Sequence, residues 1–132
     1  MQTTGELEYQ VRGDGDPILF IHGAFDEAAL VPVRDALEGY RRVLYHRRGY
    51  GGSAPHREGL TFEQEAADAL DVLRHAGLAS AHVVGHSSGG VVAFQLAVSS
   101  PAAVRSLVLL EPPLQLPPTD PPAAPPPFLT RA

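Results

Sequence analysis

The sequence predicts an α/β fold in which a mainly parallel sheet carries helices on both faces. Three observations predict it. Segments of strand character alternate with segments of helical periodicity from residue 6 to residue 110, and such alternation is typical of parallel strands joined by crossover helices. Several of the strand segments are apolar throughout, as strands covered on both faces are. A G-x-S-x-G pattern at 85–89 lies between one such strand and an apolar helix.

The predicted order of elements is β, β, α, β, α, β, α, β. The elements are strands over 6–12 and 18–21, a helix over about 28–39, a strand over 42–46, a helix over 61–76, a strand over 81–84, a helix over 91–97 and a strand over 104–110. A sheet of this kind binds ligands at the carboxyl ends of its strands. His22, Ser87 and Glu111 all follow strand ends, so we expect them to lie at that edge.

Local signals set the helix boundaries. Pro32 is tolerated only in a first helical turn, so the regular part of the first helix is expected to begin near Val31. Thr61 and Gln64 form a capping box at the start of the second helix, and Gly77 suits the position just after its end.

Composition excludes several classes of protein. The 132 residues carry a formal net charge of -5, which argues against a nucleic-acid surface. The absence of Cys excludes disulfides, thiolate metal sites and a Cys nucleophile, and neither a metal nor a cofactor is expected. No segment approaches the ~20 apolar residues of a membrane span, and no basic stretch followed by an apolar run begins the sequence. We therefore expect a cytoplasmic protein that binds neither nucleic acid nor a membrane.

The composition changes at residue 112. Nine of the sixteen residues over 112–127 are Pro, and Pro can neither pair in a central strand nor continue a helix. The sequence therefore predicts a folded core over 1–111 and an extended, polyproline-like tail over 112–132.

Three motifs follow one another in the predicted core. They are PILFIHGAF at 17–25, RGYGGS at 48–53 and VVGHSSGG at 83–90. Together they resemble the N-terminal portion of the α/β-hydrolase superfamily, of the serine hydrolase type. The resemblance extends over roughly residues 6–111. It implies a truncated α/β-hydrolase core, because the family's C-terminal strands, helical cap and late catalytic His have no counterpart here.

The resemblance implies roles for the residues of the third motif and the loop that faces it. Ser87 would be the nucleophile at a strained turn between strand and helix. Gly85 and Gly89 would leave room where the two elements cross. The backbone N–H groups of Ala24 and Ser88 would form the oxyanion hole, where the first turn of a helix adds a positive dipole end.

Other residues receive secondary roles. His22 and Gly23 begin the loop that carries the first oxyanion donor, and the resemblance implies that they order it. Glu111 follows the last strand, where some family members place the triad acid, although a polar capping role is the ordinary interpretation. No His follows His86, whereas a serine nucleophile needs a base to take its proton. His86 itself is interpreted as structural, because residues that flank the elbow serine point into the scaffold.

The function implied is hydrolysis of a small-molecule carboxylic ester or thioester, in an incomplete or weakly active form because no downstream His is present. Two alternatives stay open: half of a hydrolase that a second chain completes, and a non-catalytic interaction module. In this chain by itself, the strand over 104–110 would be an unpaired apolar edge. Such edges pair with other chains, so the sequence also predicts self-association through it.

Overall fold

A computed structural model describes residues 1–24 and 28–114. These residues form one sheet of six strands: β1 (Gln2–Thr3), β2 (Glu8–Arg12), β3 (Pro17–Ile21), β4 (Arg41–Tyr45), β5 (Ala81–His86) and β6 (Val104–Leu110). The helices are α1 (Val31–Ala36), α2 (Phe62–His75) and α3 (Ser88–Ser99), with 3-10 turns at Ala28–Leu30 and Pro101–Ala103. The extended conformation predicted for 115–132 lies outside the described residues.

The sheet is mainly parallel, as predicted. Its order is β1-β2-β4-β3-β5-β6. β3 pairs in parallel with both β4 and β5, and β6 pairs in parallel with β5. β1 and β2 add antiparallel pairs at one edge, and β6 forms the other. β1 escaped prediction because two polar residues show no alternation to detect.

The helices cover the two faces of the sheet unequally. One face packs against α2 and α3 in a large core that includes the fully buried residues Leu19, Leu73 and Leu96. The other face packs against the first 3-10 turn and α1 through a smaller cluster around Phe20 and Leu30. Since apolar burial is the main stabilising contribution, the α2–α3 face holds most of the stability of the sheet.

α2 begins where its capping signal predicts. The Thr61 hydroxyl accepts a hydrogen bond from the Gln64 N–H at 3.2 Å, and the Gln64 side chain accepts one from the Thr61 N–H at 3.0 Å. The capping box is therefore confirmed. Among residues 1–24 and 28–114, α2 and every shorter helix fall below the length and apolarity that crossing a bilayer requires.

The helix predicted over 28–39 is shorter than expected. A 3-10 turn precedes six residues of α1, which begins at Val31 as predicted but ends at Ala36. Leu37 leaves helical geometry with φ -112° and ψ 39°. The Arg34 carbonyl accepts from the Leu37 N–H at 3.2 Å and from the Arg42 guanidinium at 3.2 Å. The tight turn and the link to β4 end the helix three residues early.

Three segments meet beyond the carboxyl ends of the central strands. We call residues 22–24 the oxyanion loop, residues 46–53 the β4 loop and residues 85–89 the elbow. The first two segments follow β3 and β4, and the elbow includes the last two residues of β5; these three strands are neighbours in the sheet. Parallel pairing therefore brings them to one edge, as expected for a ligand site in such a sheet.

Candidate active site

Ser87 occupies the turn between β5 and α3 with φ 52° and ψ -125°. A non-glycine residue in such a region costs on the order of 1–3 kcal/mol, so its neighbours must hold it there. The Ser87 N–H donates to the Leu110 carbonyl at 2.8 Å, and the Ser87 carbonyl accepts from the Gly90 N–H at 2.8 Å. Both neighbouring elements thus fix the serine at the carboxyl edge of the sheet.

Glycines allow the three segments to approach one another. A Cβ at Gly85 would lie 2.6 Å from the Gly89 carbonyl oxygen, and a Cβ at Gly89 would overlap the backbone at the end of β3. A Cβ at Gly23 would lie 3.1 Å from the Cβ of Ser87. Any side chain at the first two positions would push the elbow away from the strands, which is the packing reason expected for these glycines.

His22 holds the oxyanion loop through both ring nitrogens. The side chain is 1% exposed. Its Nε2 accepts from the backbone N–H of Arg47 at 3.0 Å. Because Nε2 is an acceptor, the proton of a neutral ring belongs on Nδ1, which lies 2.7 Å from the Gly23 carbonyl oxygen and donates to it. These contacts tie His22 to Gly23 and to the β4 loop, and the loop-ordering role implied for His22 stays a prediction.

Tyr50 in the β4 loop contacts the oxyanion loop. Its hydroxyl donates to the Ala24 carbonyl at 2.8 Å. Its ring packs edge-on against the His22 ring with centroids 4.6 Å apart. Ala24, the residue expected to carry the first oxyanion donor, is therefore fixed by a hydrogen bond to the next loop of the sheet.

Ser88 is the first residue of α3, beside Ser87. The first N–H groups of a helix have no partner inside the helix, and they form its positive dipole end. The N–H of Ser88 is one of these groups, and its role as a second oxyanion donor stays a prediction. The Ser88 hydroxyl accepts a hydrogen bond from Arg47 at 3.0 Å.

Arg47, which sequence reasoning did not single out, joins all of these parts. It is 8% exposed. Its Nη1 donates to the His22 carbonyl and to the Ser88 hydroxyl, both at 3.0 Å. Its Nε and Nη2 donate to Oε1 of Glu65 at 3.0 and 2.8 Å. The signal in the sequence was a pair of arginines directly after a buried strand, where a solvated charge would be unusual.

Arg48 makes an equally strong set of bonds in a different direction. It donates to both carboxylate oxygens of Asp68 at 2.8 and 2.9 Å and to Glu6 at 2.5 Å. The hydrogen bond and charge of Arg48 lower the pKa of Glu6, and its two carboxylate partners raise the pKa of Arg48. This pair ties the β4 loop to α2 and to the N-terminal segment without touching the elbow.

A second carboxylate anchors the far side of the β4 loop. Glu8 accepts from the backbone N–H of Gly52 and lies 3.0 Å from Nδ1 of His46. These bonds, with the charge of the imidazole, hold the pKa of Glu8 below its ordinary value. Ser53 completes the link, since its hydroxyl accepts from the Glu8 N–H at 2.9 Å. The β4 loop is thus fixed at both ends.

Glu111 lies one residue beyond the hydrogen bond that ties the elbow to β6. Its φ is 52°, which a residue before proline rarely adopts, and its side chain is exposed. Within the described ranges its carboxylate contacts no cation and no His. The structure therefore brings Glu111 to the same edge as Ser87 but gives it no imidazole to orient.

The described residues place no imidazole on the Ser87 hydroxyl. His22 is committed to Arg47 and Gly23 through its two nitrogens. The buried Nδ1 of His86 has no hydrogen-bond partner in the part of the chain that the structure describes. The same part holds no cluster of three side chains suited to a metal ion. The edge thus offers a strained serine and candidate oxyanion donors without a paired base.

The chain matches the family model of the alpha/beta hydrolase fold over residues 16–131. It is 38% identical over 112 residues to a dihydrolipoyllysine-residue acetyltransferase component of an acetoin cleaving system from Cupriavidus necator. It is 37% identical over 112 residues to a non-heme chloroperoxidase from Kitasatospora aureofaciens. Each alignment covers 80% of this chain, but 29% of the first relative and 40% of the second.

Among solved structures, a thermophilic esterase from Thermogutta terrifontis superposes with a TM-score of 0.75 and 28% sequence identity. The superposition covers 80% of this chain and 40% of the esterase. The chain therefore spans less than half the length of each of these three proteins.

Proposed function

Because this chain belongs to the alpha/beta hydrolase fold family, we propose that it supplies the nucleophile and the oxyanion hole of a serine hydrolase. The proposed substrate is a small carboxylic ester or thioester. The observation that carries the proposal is the position of Ser87. This serine is held at positive φ at the start of α3 and lies beside Gly23 of the oxyanion loop. A strained serine at a helix N-terminus beside a second loop suits attack on a carbonyl group.

The chemistry divides between two groups of atoms. The Ser87 oxygen forms a bond to the carbonyl carbon while its proton passes to a base, and the carbonyl electron pair moves onto oxygen. The N–H groups of Ala24 and Ser88 donate to that oxyanion, and each such donor is typically worth ~3 kcal/mol in the transition state. Collapse breaks the bond to the leaving oxygen or sulfur, which takes the proton back from the base and departs as an alcohol or thiol. Water then attacks the acyl group on Ser87, which releases the carboxylic acid and restores the serine.

The base is the missing component. All six His residues of the sequence lie at or before position 86, and His22 uses both ring nitrogens to hold the scaffold. We propose that the base comes from outside residues 1–132. Removing the base from a serine triad typically costs ~10⁴- to 10⁶-fold in rate, so these residues alone should acylate slowly and deacylate more slowly.

Several features support an ester or thioester as the substrate. Esters and thioesters need little protonation of the leaving group by an acid. A nucleophile and oxyanion donors alone therefore accelerate their cleavage more than that of amides. The similar Thermogutta terrifontis protein is described as an esterase. The cytoplasmic location expected from composition stays a prediction.

Acylation of Ser87 tests the proposal directly. The 132-residue chain is mixed with 4-nitrophenyl acetate, and intact mass spectrometry follows gain of one acetyl group, with Ser87→Ala as control. Imidazole added as an external base should speed acetylation and turnover of the native chain above the rate of the Ser87→Ala chain. Equal rates for the two chains at every imidazole concentration would contradict the proposal.

Among residues 1–24 and 28–114, β6 pairs with a strand on one side only, and its other edge favours a second candidate, an interaction module. The Leu110 carbonyl accepts from the Ser87 N–H, so its backbone groups face β5. Because backbone direction alternates along a strand, the groups of Leu107 and Leu109 face away from the sheet. Val108 between them is 46% exposed. A strand from another chain could bond to this edge, either as a second copy or as the remainder of the domain.

A further inference from the structure

We propose that Arg47 is a positioning residue that fixes the separation between the two halves of the oxyanion hole. This inference rests on the proposed function, since it assigns the two donors to Ala24 and Ser88. These donors belong to segments far apart in sequence, the oxyanion loop and the elbow. A single nitrogen of Arg47 reaches both segments, at the His22 carbonyl and at the Ser88 hydroxyl.

The geometry of a guanidinium suits this task. The two N–H bonds of Nη1 diverge in a plane, so one donates to the oxyanion loop while the other donates to the first residue of α3. Both distances are 3.0 Å. Moving either segment by an ångström would break one of the bonds. Misplacement of that size at a reacting centre can cost ~10²-fold in rate.

Glu65 sets the orientation of the guanidinium. Its Oε1 accepts from Nε and Nη2 of Arg47 at 3.0 and 2.8 Å, which leaves both hydrogens of Nη1 for the two segments. The side chains of Arg47 and Glu65 are 10% and 12% exposed. A charge pair so far from water is costly unless every donor is used, and here every donor nitrogen has a partner.

The backbone of Arg47 reinforces the same link. Its N–H donates to Nε2 of His22. The main chain and the side chain of Arg47 therefore both donate hydrogen bonds to His22 in the oxyanion loop. A lysine at this position would carry one ammonium, which could not bond Glu65 in the same plane and still reach both segments.

Arg48 provides a matched control. It too pairs with a carboxylate of α2, Asp68, at 2.8 and 2.9 Å and with 10% side-chain exposure. It touches neither the oxyanion loop nor the elbow. Loss of the Arg48–Asp68 pair should therefore disturb stability like loss of the Arg47–Glu65 pair, without displacing the two donors.

The test compares two double variants, Arg47→Met/Glu65→Gln and Arg48→Met/Asp68→Asn. Each removes both charges, so that no buried charge is left unpaired. Thermal unfolding by circular dichroism establishes that both fold. The rate of Ser87 labelling by a fluorophosphonate should fall about 10²-fold in the Arg47 pair and less than threefold in the Arg48 pair. Arg47→Lys should be as slow as the first pair. Equal rates for the two pairs would overturn the proposal.

Amide hydrogen exchange separates failure of this inference from failure of the proposed function. Peptides that contain the oxyanion loop and the elbow should lose protection in the Arg47 pair alone. These labelling reactions contain imidazole as an external base. If the native chain never labels with the fluorophosphonate under that condition, the proposed function fails, and exchange then decides the positioning role by itself. Unchanged protection in the Arg47 pair, or an equal loss in both pairs, would refute that role.

Discussion

The Ser87 amide donates a 2.8 Å hydrogen bond to the carbonyl of Leu110, the last residue of β6. The elbow is thereby tied to the edge strand as well as to β5, from which it emerges. This bond explains how a serine at positive φ is kept in place. It also makes the geometry of the candidate nucleophile depend on pairing of β6 with β5.

Gly89→Ala should destabilise the fold, although alanine is the better helix former by about 1 kcal/mol. The added methyl would overlap the backbone of His22 at the end of β3. We expect a loss of about 2 kcal/mol or more in the free energy of unfolding, together with loss of Ser87 labelling. Gly39→Ala is the control, because nothing lies within 4 Å of its added methyl. Urea unfolding measures both, and equal stabilities would contradict the packing argument.

Tyr50→Phe should slow Ser87 labelling with little effect on stability. The variant removes the hydroxyl that donates to the Ala24 carbonyl at 2.8 Å and keeps the ring that packs on His22. A single hydrogen bond is worth about 1 kcal/mol, so we expect a rate about five times lower and a melting temperature lower by no more than about 4 °C. Tyr40→Phe, at an exposed residue of another loop, is the control, and a rate loss equal in both variants would count against the role of Tyr50.

Glu8 should make the fold sensitive to acid. Hydrogen bonds from Gly52 and His46 hold its pKa below the ordinary 4.5. A carboxyl whose pKa is lower in the folded state stabilises the fold above pH 4.5, and this contribution is lost as pH falls through the folded pKa. The difference in melting temperature between the native chain and Glu8→Gln should therefore be largest near neutral pH and vanish in acid.

The comparison for Glu8 is Glu58→Gln, at an exposed carboxylate without a hydrogen bond in the described part of the chain. Its melting temperature should follow that of the native chain across the same pH range. A Glu8→Gln difference that stayed constant down to the acid limit would show that the carboxylate contributes no linked stability.

Val108→Lys should suppress self-association. Val108 is 46% exposed in the middle of the β6 edge, and a charge on an edge strand opposes pairing with another strand. Sedimentation velocity should show concentration-dependent association of the native chain and a monomer for the variant. Val98→Lys changes a residue of α3 that is 61% exposed but lies on a helix, so it should associate like the native chain. A native chain that stays monomeric at all concentrations would exclude pairing through this edge.

Much of the fold could be predicted because its signals are local. The Thr61–Gln64 capping box gave the start of α2, and the G-x-S-x-G pattern between a strand and a helix gave the elbow. α1 was predicted too long because its end depends on a contact between Arg34 and Arg42, which joins a helix to a strand. Such a tertiary contact leaves no periodic trace in the sequence.

The sequence predicted which backbone segments form the candidate site. It did not predict the side chain that holds them together, which is Arg47. Positions 22–24 and 87–88 follow from the order of the motifs. Arg47 was missed because its partners lie 18, 25 and 41 positions away. The role of Arg47 becomes visible only in the folded structure, where α2 and the elbow pack around its buried guanidinium.

The bond between Ser87 and Leu110 also has a consequence for synthesis on the ribosome. The carbonyl that the elbow needs is translated roughly twenty residues after the serine, which at ~5–20 residues per second is a delay of about one to four seconds. During that interval β5 and α3 can form, but the strained turn lacks its anchor. The nascent elbow can close only after β6 has emerged and docked, so a strand made after the serine is the one that sets it.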